Sequence, residues 1–108
     1  MCLGNGRYLV QVAYERTGTD LRGNGHTNPL SAESGLFWFF DPSNVETIVK
    51  VLDGCSLNNR HWVYTTGLTD LRVLITIVDT QNGQTATYLS PGGAPFAPVN
   101  DTDALPCD

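Results

Sequence analysis

Reactive side chains are few in this 108-residue sequence: two histidines, His26 and His61, and three cysteines, Cys2, Cys55 and Cys107. Histidine with serine and aspartate can build a hydrolytic triad. Here no G-x-S-x-G elbow is present, and neither histidine has diagnostic neighbours. His61 reads as a strand residue on a solvent-facing or partly buried face, and His26 as a polar loop residue. The cysteine spacings fit no zinc pattern and contain no C-x-x-C. The expectation is a chain that is not an enzyme, since chemistry has to be argued from a site and none is legible.

Oxygen-bearing side chains suggest calcium, which takes carboxylates and carbonyls from loops. Three groups qualify: Asp41, Asn44 and Glu46 at one turn, Asp79 and Asn82 at another, and Asn100, Asp101 and Asp103 in the tail. None follows a D-x-D-x-D-G pattern, and turn chemistry accounts for Asp41 and Asn44. The tail acids Asp101 and Asp103 are the expected donors if calcium binds; no other cofactor is implied. Aromatic residues on a sheet also suit sugar rings. Tyr8, Tyr14, Trp38, Trp62, Tyr64 and Tyr88 are candidates, though strand aromatics are usually core. Tyr14 and Tyr88, near strand ends, are the better surface candidates, with His26 as a third ligand-binding residue. Glu46 and Lys50, four residues apart on one strand, read as a solvated charged face. Asn100-Asp101-Thr102 fits a glycosylation sequon, a weak motif.

Cysteine pairing is open between three arrangements. Cys55–Cys107 would tie a central loop to the tail and stabilise by roughly 4 kcal/mol through loop-closure entropy. Cys2–Cys107 would clasp the ends. The contrary reading is three free, buried thiols of a cytosolic protein.

Composition narrows the partners. Net charge is −5, and the six basic residues are scattered, so no stripe exists to neutralise phosphates or meet an anionic membrane. No apolar run approaches the ~18 residues that span a bilayer. Only 16% of residues are charged, against about a quarter usually, and Thr, Asn and Gly fill the polar positions. This suits a β-rich extracellular domain. "MCLGNGRYLVQV" already lies within the first strand, with no signal peptide, so Met1 reads as the start of a piece cut from a longer exported protein.

The positions of these residues depend on strands. "GRYLVQVAYE" (6–15) alternates, with Tyr8, Val10, Val12 and Tyr14 on one face. Residues 16–34 form a polar loop with a short strand near His26–Leu30. "GLFWFFDPSNVETIVKVLDGC" (35–55) predicts a hairpin turning at Asp41-Pro42-Ser43-Asn44. In it, Phe37 and Phe39 oppose Trp38 and Phe40, and one pair faces the core. A further strand follows near Arg60–Thr65. "TDLRVLITIVDT" puts Leu71, Val73, Ile75 and Ile77 on one face. Asn82-Gly83 turns it back into "QTATYLS". Residues 91–108 hold four of the six prolines and read as an extended segment pinned by Phe96, Val99 and Cys107, not a central strand. The prediction is all-β: one antiparallel β-sandwich domain over 1–108, immunoglobulin/fibronectin III-like, with about seven strands.

The chain also resembles a module that recurs in exported bacterial proteins. The shared elements are Cys2-Leu3, Gly6-Arg7-Tyr8, Phe37–Phe40, Asn44-Val45-Glu46, Lys50–Gly54, Trp62-Val63, Leu68–Asp70 and Thr76–Gly83. They cover nearly the whole length. The resemblance implies a secreted β-sandwich accessory module and assigns no activity. Members often carry another cysteine before the first strand, a position absent here, which leaves Cys2 unpaired and Cys55–Cys107 as the preferred disulfide. The expected function is a non-catalytic secreted or cell-surface module for protein–protein or surface attachment, with self-assembly through exposed strand edges. The alternative is a carbohydrate-binding module.

Overall fold

Period-two alternation becomes ten strand segments in the computed structural model, which describes residues 1–107. They are β1 (Cys2–Leu3), β2 (Tyr8–Glu15), β3 (Arg22–Asn24), β4 (His26–Pro29), β5 (Ser34–Trp38), β6 (Thr47–Asp53), β7 (Arg60–Gly67), β8 (Arg72–Asp79), β9 (Thr85–Ser90) and β10 (Val99–Pro106). One helical turn, α1 (Cys55–Asn58), sits between β6 and β7. No helix among the described residues is long and apolar enough to cross a membrane.

Two antiparallel sheets pack together as a β-sandwich. The first runs β1-β2-β8-β9, with β3 also paired to β2, and the second runs β10-β7-β6-β5-β4. Inward positions follow the alternation. Val10 and Val12 of β2 and Val73, Ile75 and Ile77 of β8 face Phe37, Val49, Val51 and Val63 of the second sheet, and all are buried. Full burial of each such side chain is worth about 1.5–3 kcal/mol.

Three segments exceed the expected seven. β1 is too short to show a period. β3 and β4 are separated only by Gly25, where the chain passes from one sheet to the other. The third lies in the tail, where the sequence predicts an extended segment and not a paired strand. Residues 99–106 are a strand, paired with β7 from Val99↔Thr65 to Pro106↔Arg60 with an irregularity between Asp101 and Leu105. As an edge strand it tolerates its proline, and Leu105 is buried in the core. Phe96 packs on Gly67 ahead of it.

The central hairpin forms with a longer connection than a tight turn. β5 ends at Trp38, and Phe39–Glu46 loop out before β6. Within that loop Asn44 N–H donates to the Asp41 carbonyl at 3.0 Å, and Asp41 Oδ1 accepts from Ser43 N and Oγ at 2.8 and 2.7 Å. The Ser43 bonds hold the Asp41 carboxyl below its ordinary range. Phe37 and Phe39 are the core pair, whereas Phe40 is exposed. Between β8 and β9, Gly83 takes φ +75° and its N–H donates to the Asp79 carbonyl at 2.8 Å, a conformation that favours glycine.

Candidate functional site

Register brings the titratable groups together at one end of the sandwich. Tyr8 opens β2 and Asp79 closes β8, and the two are paired across the first sheet. His61, near the start of β7, approaches from the second sheet. It is fully buried, which corrects its reading as a strand residue on a solvent-facing or partly buried face. His61 shares its inward side with Val63 and Thr65, and Asp79 shares its own with Val73, Ile75 and Ile77. That alternation, carried one step further along each strand, was the signal for both.

The contacts form a chain. Arg7 Nε and Nη2 donate to Asp79 Oδ1 and Oδ2 at 2.9 and 2.8 Å, a two-pronged ion pair with a fully buried carboxylate. His61 Nδ1 lies 2.5 Å from Tyr8 Oη. His61 Nε2 lies 3.6 Å from Asp79 Oδ2 and 3.6 Å from Cys55 Sγ. Cys55 is joined to Cys107 by a disulfide that ties α1 to the end of β10, and Cys2 is free and exposed.

Burial sets the charge states. Desolvation, then the Arg7 charge, lowers the His61 pKa against the opposite pull of Asp79 and Asp53, so the ring is neutral at pH 7. Desolvation alone would raise Asp79, but the Arg7 fork and the Gln81 amide outweigh it and leave its pKa lowered. Tyr8 is raised, chiefly by burial. A neutral imidazole carries one ring proton. The Asp79 carboxylate beside Nε2 places it there, so Nδ1 accepts the Tyr8 hydroxyl proton. Each group thereby has a partner, and the chain runs from Tyr8 through His61 to a carboxylate and a disulfide sulfur.

Beside this chain a cleft of about 720 Å³ is lined by Arg7, Tyr8, Leu52, Asp53, Trp62 and Gln81. Trp62 lies over Gly54, where any Cβ would collide with the indole, and its Nε1 donates to Asn58 Oδ1 at 2.8 Å. From Trp62 the outer face of the second sheet continues away from the cleft. Register gives its rows: Leu52 beside Trp62, then Ser34, Lys50, Tyr64 and Asn100, then Leu36, Ile48 and Thr66. Trp38 stands beyond, stacked on His26 at 4.1 Å between ring centroids. Lys50 Nζ sits 4.9 Å from the Tyr64 ring centre. Trp38, Trp62 and Tyr64 are half-buried on this face and not core, contrary to the expectation for strand aromatics.

The sequence-chosen ligand residues are scattered. Tyr14 stacks on Phe39 at 4.3 Å at the other end of the sandwich. Tyr88 donates to Asp101 Oδ2 at 2.7 Å, and burial, with that bond, pushes its pKa up. Only His26 reaches the aromatic face. Of the tail acids, Asp101 Oδ1 accepts from Asp103 N at 3.0 Å and Asp103 pairs with Arg60 at 2.9 Å. Glu46, read as solvated, is 6% exposed, and burial raises its pKa, with Asp70 adding to the effect. Among the described residues, the metal-ligating side chains that converge are Cys55, His61 and Cys107, with ligand atoms within 4.8 Å of one another.

No protein-family model, curated protein or solved structure matches the chain.

Proposed function

We propose that this chain is a non-catalytic, secreted or cell-surface attachment module of immunoglobulin/fibronectin III-like type, and that it makes contact through the outer face of its second sheet. One observation carries the reading. Trp38, Tyr64 and Trp62 stand half-exposed on one sheet face, with Leu36, Ile48 and Leu52 between them. Half-exposed aromatics over an aliphatic floor are what protein contact surfaces use. The edges of the second sheet support pairing less well. β4 has four residues and ends in Pro29, and β10 is interrupted after Asp101. The Arg7–Asp79–His61–Tyr8 chain supports a non-catalytic reading, because His61, Asp79 and Tyr8 are buried away from any substrate. The disulfide is compatible with an oxidising compartment.

A glycan is the second reading, favoured by Lys50, Ser34 and Asn100 in the Tyr64 row, polar groups beside a ring face. The double variant Trp38→Ser/Tyr64→Ser separates the possibilities. Sedimentation across a concentration series and binding to a glycan array would be compared with the parent protein. Loss of self-association or of glycan binding, with thermal unfolding unchanged, supports the face and names its partner class. Binding that survives the double variant overturns it.

A further inference from the structure

We propose that the Cys55–Cys107 pair, once reduced, forms with His61 a three-ligand site for zinc. Closed as a disulfide, the two sulfurs are engaged with each other. Opened, they are two thiolate ligands next to an imidazole nitrogen already aimed at them.

The geometry is that of a metal centre before the metal. Zinc binds thiolate sulfur at about 2.3 Å and imidazole nitrogen at about 2.0–2.1 Å, so two such ligands on one tetrahedral ion lie about 3.6 Å apart. Cys55 Sγ and His61 Nε2 are 3.6 Å apart. The two cysteine Cα atoms are 6.0 Å apart, close enough for side-chain rotation to place both sulfurs on one ion. All three ligand atoms fall within 4.8 Å of one another.

The second layer is also present. A metal-bound histidine usually donates its other ring N–H to an oxygen acceptor, which fixes the ring and raises its basicity. Tyr8 Oη sits at 2.5 Å from Nδ1. When Nε2 takes the metal its proton is displaced, the ring carries its proton on Nδ1, and Tyr8 becomes the acceptor. The contact is kept with its direction reversed. Two thiolates and one imidazole leave the fourth tetrahedral position to water, the ligand pattern of open zinc sites.

The chemistry balances with a dithiol as reductant. The dithiol loses two electrons and two protons and closes to its own disulfide. The Cys55–Cys107 bond breaks and each sulfur gains a proton. Zinc then displaces both thiol protons, so two protons leave for each ion bound. Binding is therefore conditional on redox state: the oxidised chain holds its fold covalently, and the reduced chain can hold the same two points through the metal.

The test uses the full chain with Cys2→Ser, so that the one free thiol cannot contribute. The protein is reduced with a dithiol, freed of it under argon, and titrated with Zn²⁺ against a chromophoric chelator, with Co²⁺ as the spectroscopic probe. We expect one ion per reduced chain, thiolate-to-cobalt charge transfer, two protons released, and no such signal from the oxidised chain. Tyr8→Phe should weaken zinc about ten-fold or more through loss of the acceptor, and His26→Gln should leave affinity unchanged. X-ray absorption of the zinc-loaded protein should give two sulfur ligands and at least one nitrogen. Because it needs no variant at buried His61, it decides the matter even if His61→Gln does not fold. A zinc shell of sulfur alone or of nitrogen and oxygen alone, equal affinity in the oxidised chain, or no binding after reduction overturns the site.

Discussion

At one end of the sandwich a partly exposed Arg7 and the buried Asp79, His61 and Tyr8 form a chain in which each group has a partner. At the other end Glu46, Thr47 and Thr65 are buried with almost none. Glu46 accepts only a 3.5 Å contact from Asn44, and the Thr47 and Thr65 hydroxyls have no hydrogen-bond partner. Both ends use polar residues on strands or at the entry to one, beside apolar neighbours. The difference is what the surrounding elements supply, Arg7 from the same sheet and His61 from the opposing one. At the first end Arg7 and His61 meet the Asp79 carboxylate, so its charged form is favoured despite desolvation. At the second, desolvation acts on Glu46 without a cation, and Asp70 adds repulsion. The Glu46 backbone explains why the side chain is there: its N–H donates to the Phe37 carbonyl at 2.9 Å and its carbonyl accepts from Leu68 N–H at 2.8 Å. The chain is fixed at the entry to β6, and the carboxylate follows it inward.

The largest effect that separates the ends is covalent. The disulfide spans a separation of 52 residues, and its removal in the Cys55→Ser/Cys107→Ser protein without added metal should cost about 4 kcal/mol in chemical denaturation. A loss under 1 kcal/mol would mean that β10 is held by its pairing to β7 alone. Next, Asp79→Asn strips the charge from the centre of the satisfied chain and leaves the Arg7 guanidinium without its counter-ion. About 3 kcal/mol of stability should disappear. An unchanged urea midpoint would show that the ion pair contributes nothing net.

The poorly partnered end predicts smaller effects of opposite sign. Glu46→Gln should raise stability by about 1 kcal/mol at pH 7. The pH dependence sharpens this. Glu46 has a raised pKa in the fold, so its penalty is absent below the unfolded value of about 4.3 and grows as pH rises through the folded one. Asp79 and His61 behave oppositely. His61 is lowered, so its contribution is complete above about 6.5 and declines as pH falls toward its folded value. Asp79 is lowered too, and its contribution is present above about 3.9 and lost as pH falls through its folded value. The advantage of Glu46→Gln should therefore vanish near pH 4, as read from urea midpoints at both pH values. An advantage that persisted in acid would point to packing and not charge. Last, Thr65→Val replaces an unpartnered buried hydroxyl by a methyl and should stabilise by about 1 kcal/mol or less. Destabilisation there would reveal a bond that the hydroxyl makes.

Much of the fold could be read along the chain because strand alternation is local. Val10 and Val12, then Val73, Ile75 and Ile77, declare one face, and the Asn82-Gly83 pair declares a turn, without reference to any distant residue. The same locality explains the misreadings. His61 and Glu46 are polar, and polarity alone suggests solvent. Whether a polar strand residue is exposed depends on the sheet opposite, which local pattern does not contain. Trp38 and Trp62 failed in the other direction, apolar in type yet set on the outer face by the phase of Phe37 and Val63 beside them.

By itself the sequence determined an all-β chain, its main hairpins, the apolar faces of β2 and β8 and the scarcity of cations that could meet nucleic acid. These rest on residue type and a period of two, which every strand carries within itself. Tertiary structure decided which strands became neighbours, and hence that Tyr8, His61, Asp79 and Cys55 meet although 53 residues separate the tyrosine from its histidine. It also decided that residues 99–106 add to β7 as an edge strand, that Cys55 reaches Cys107, and that two tryptophans share a face with Tyr64. These outcomes depend on sheet order and on the stacking of two sheets, which are set by the burial of the whole core at once and by no single segment.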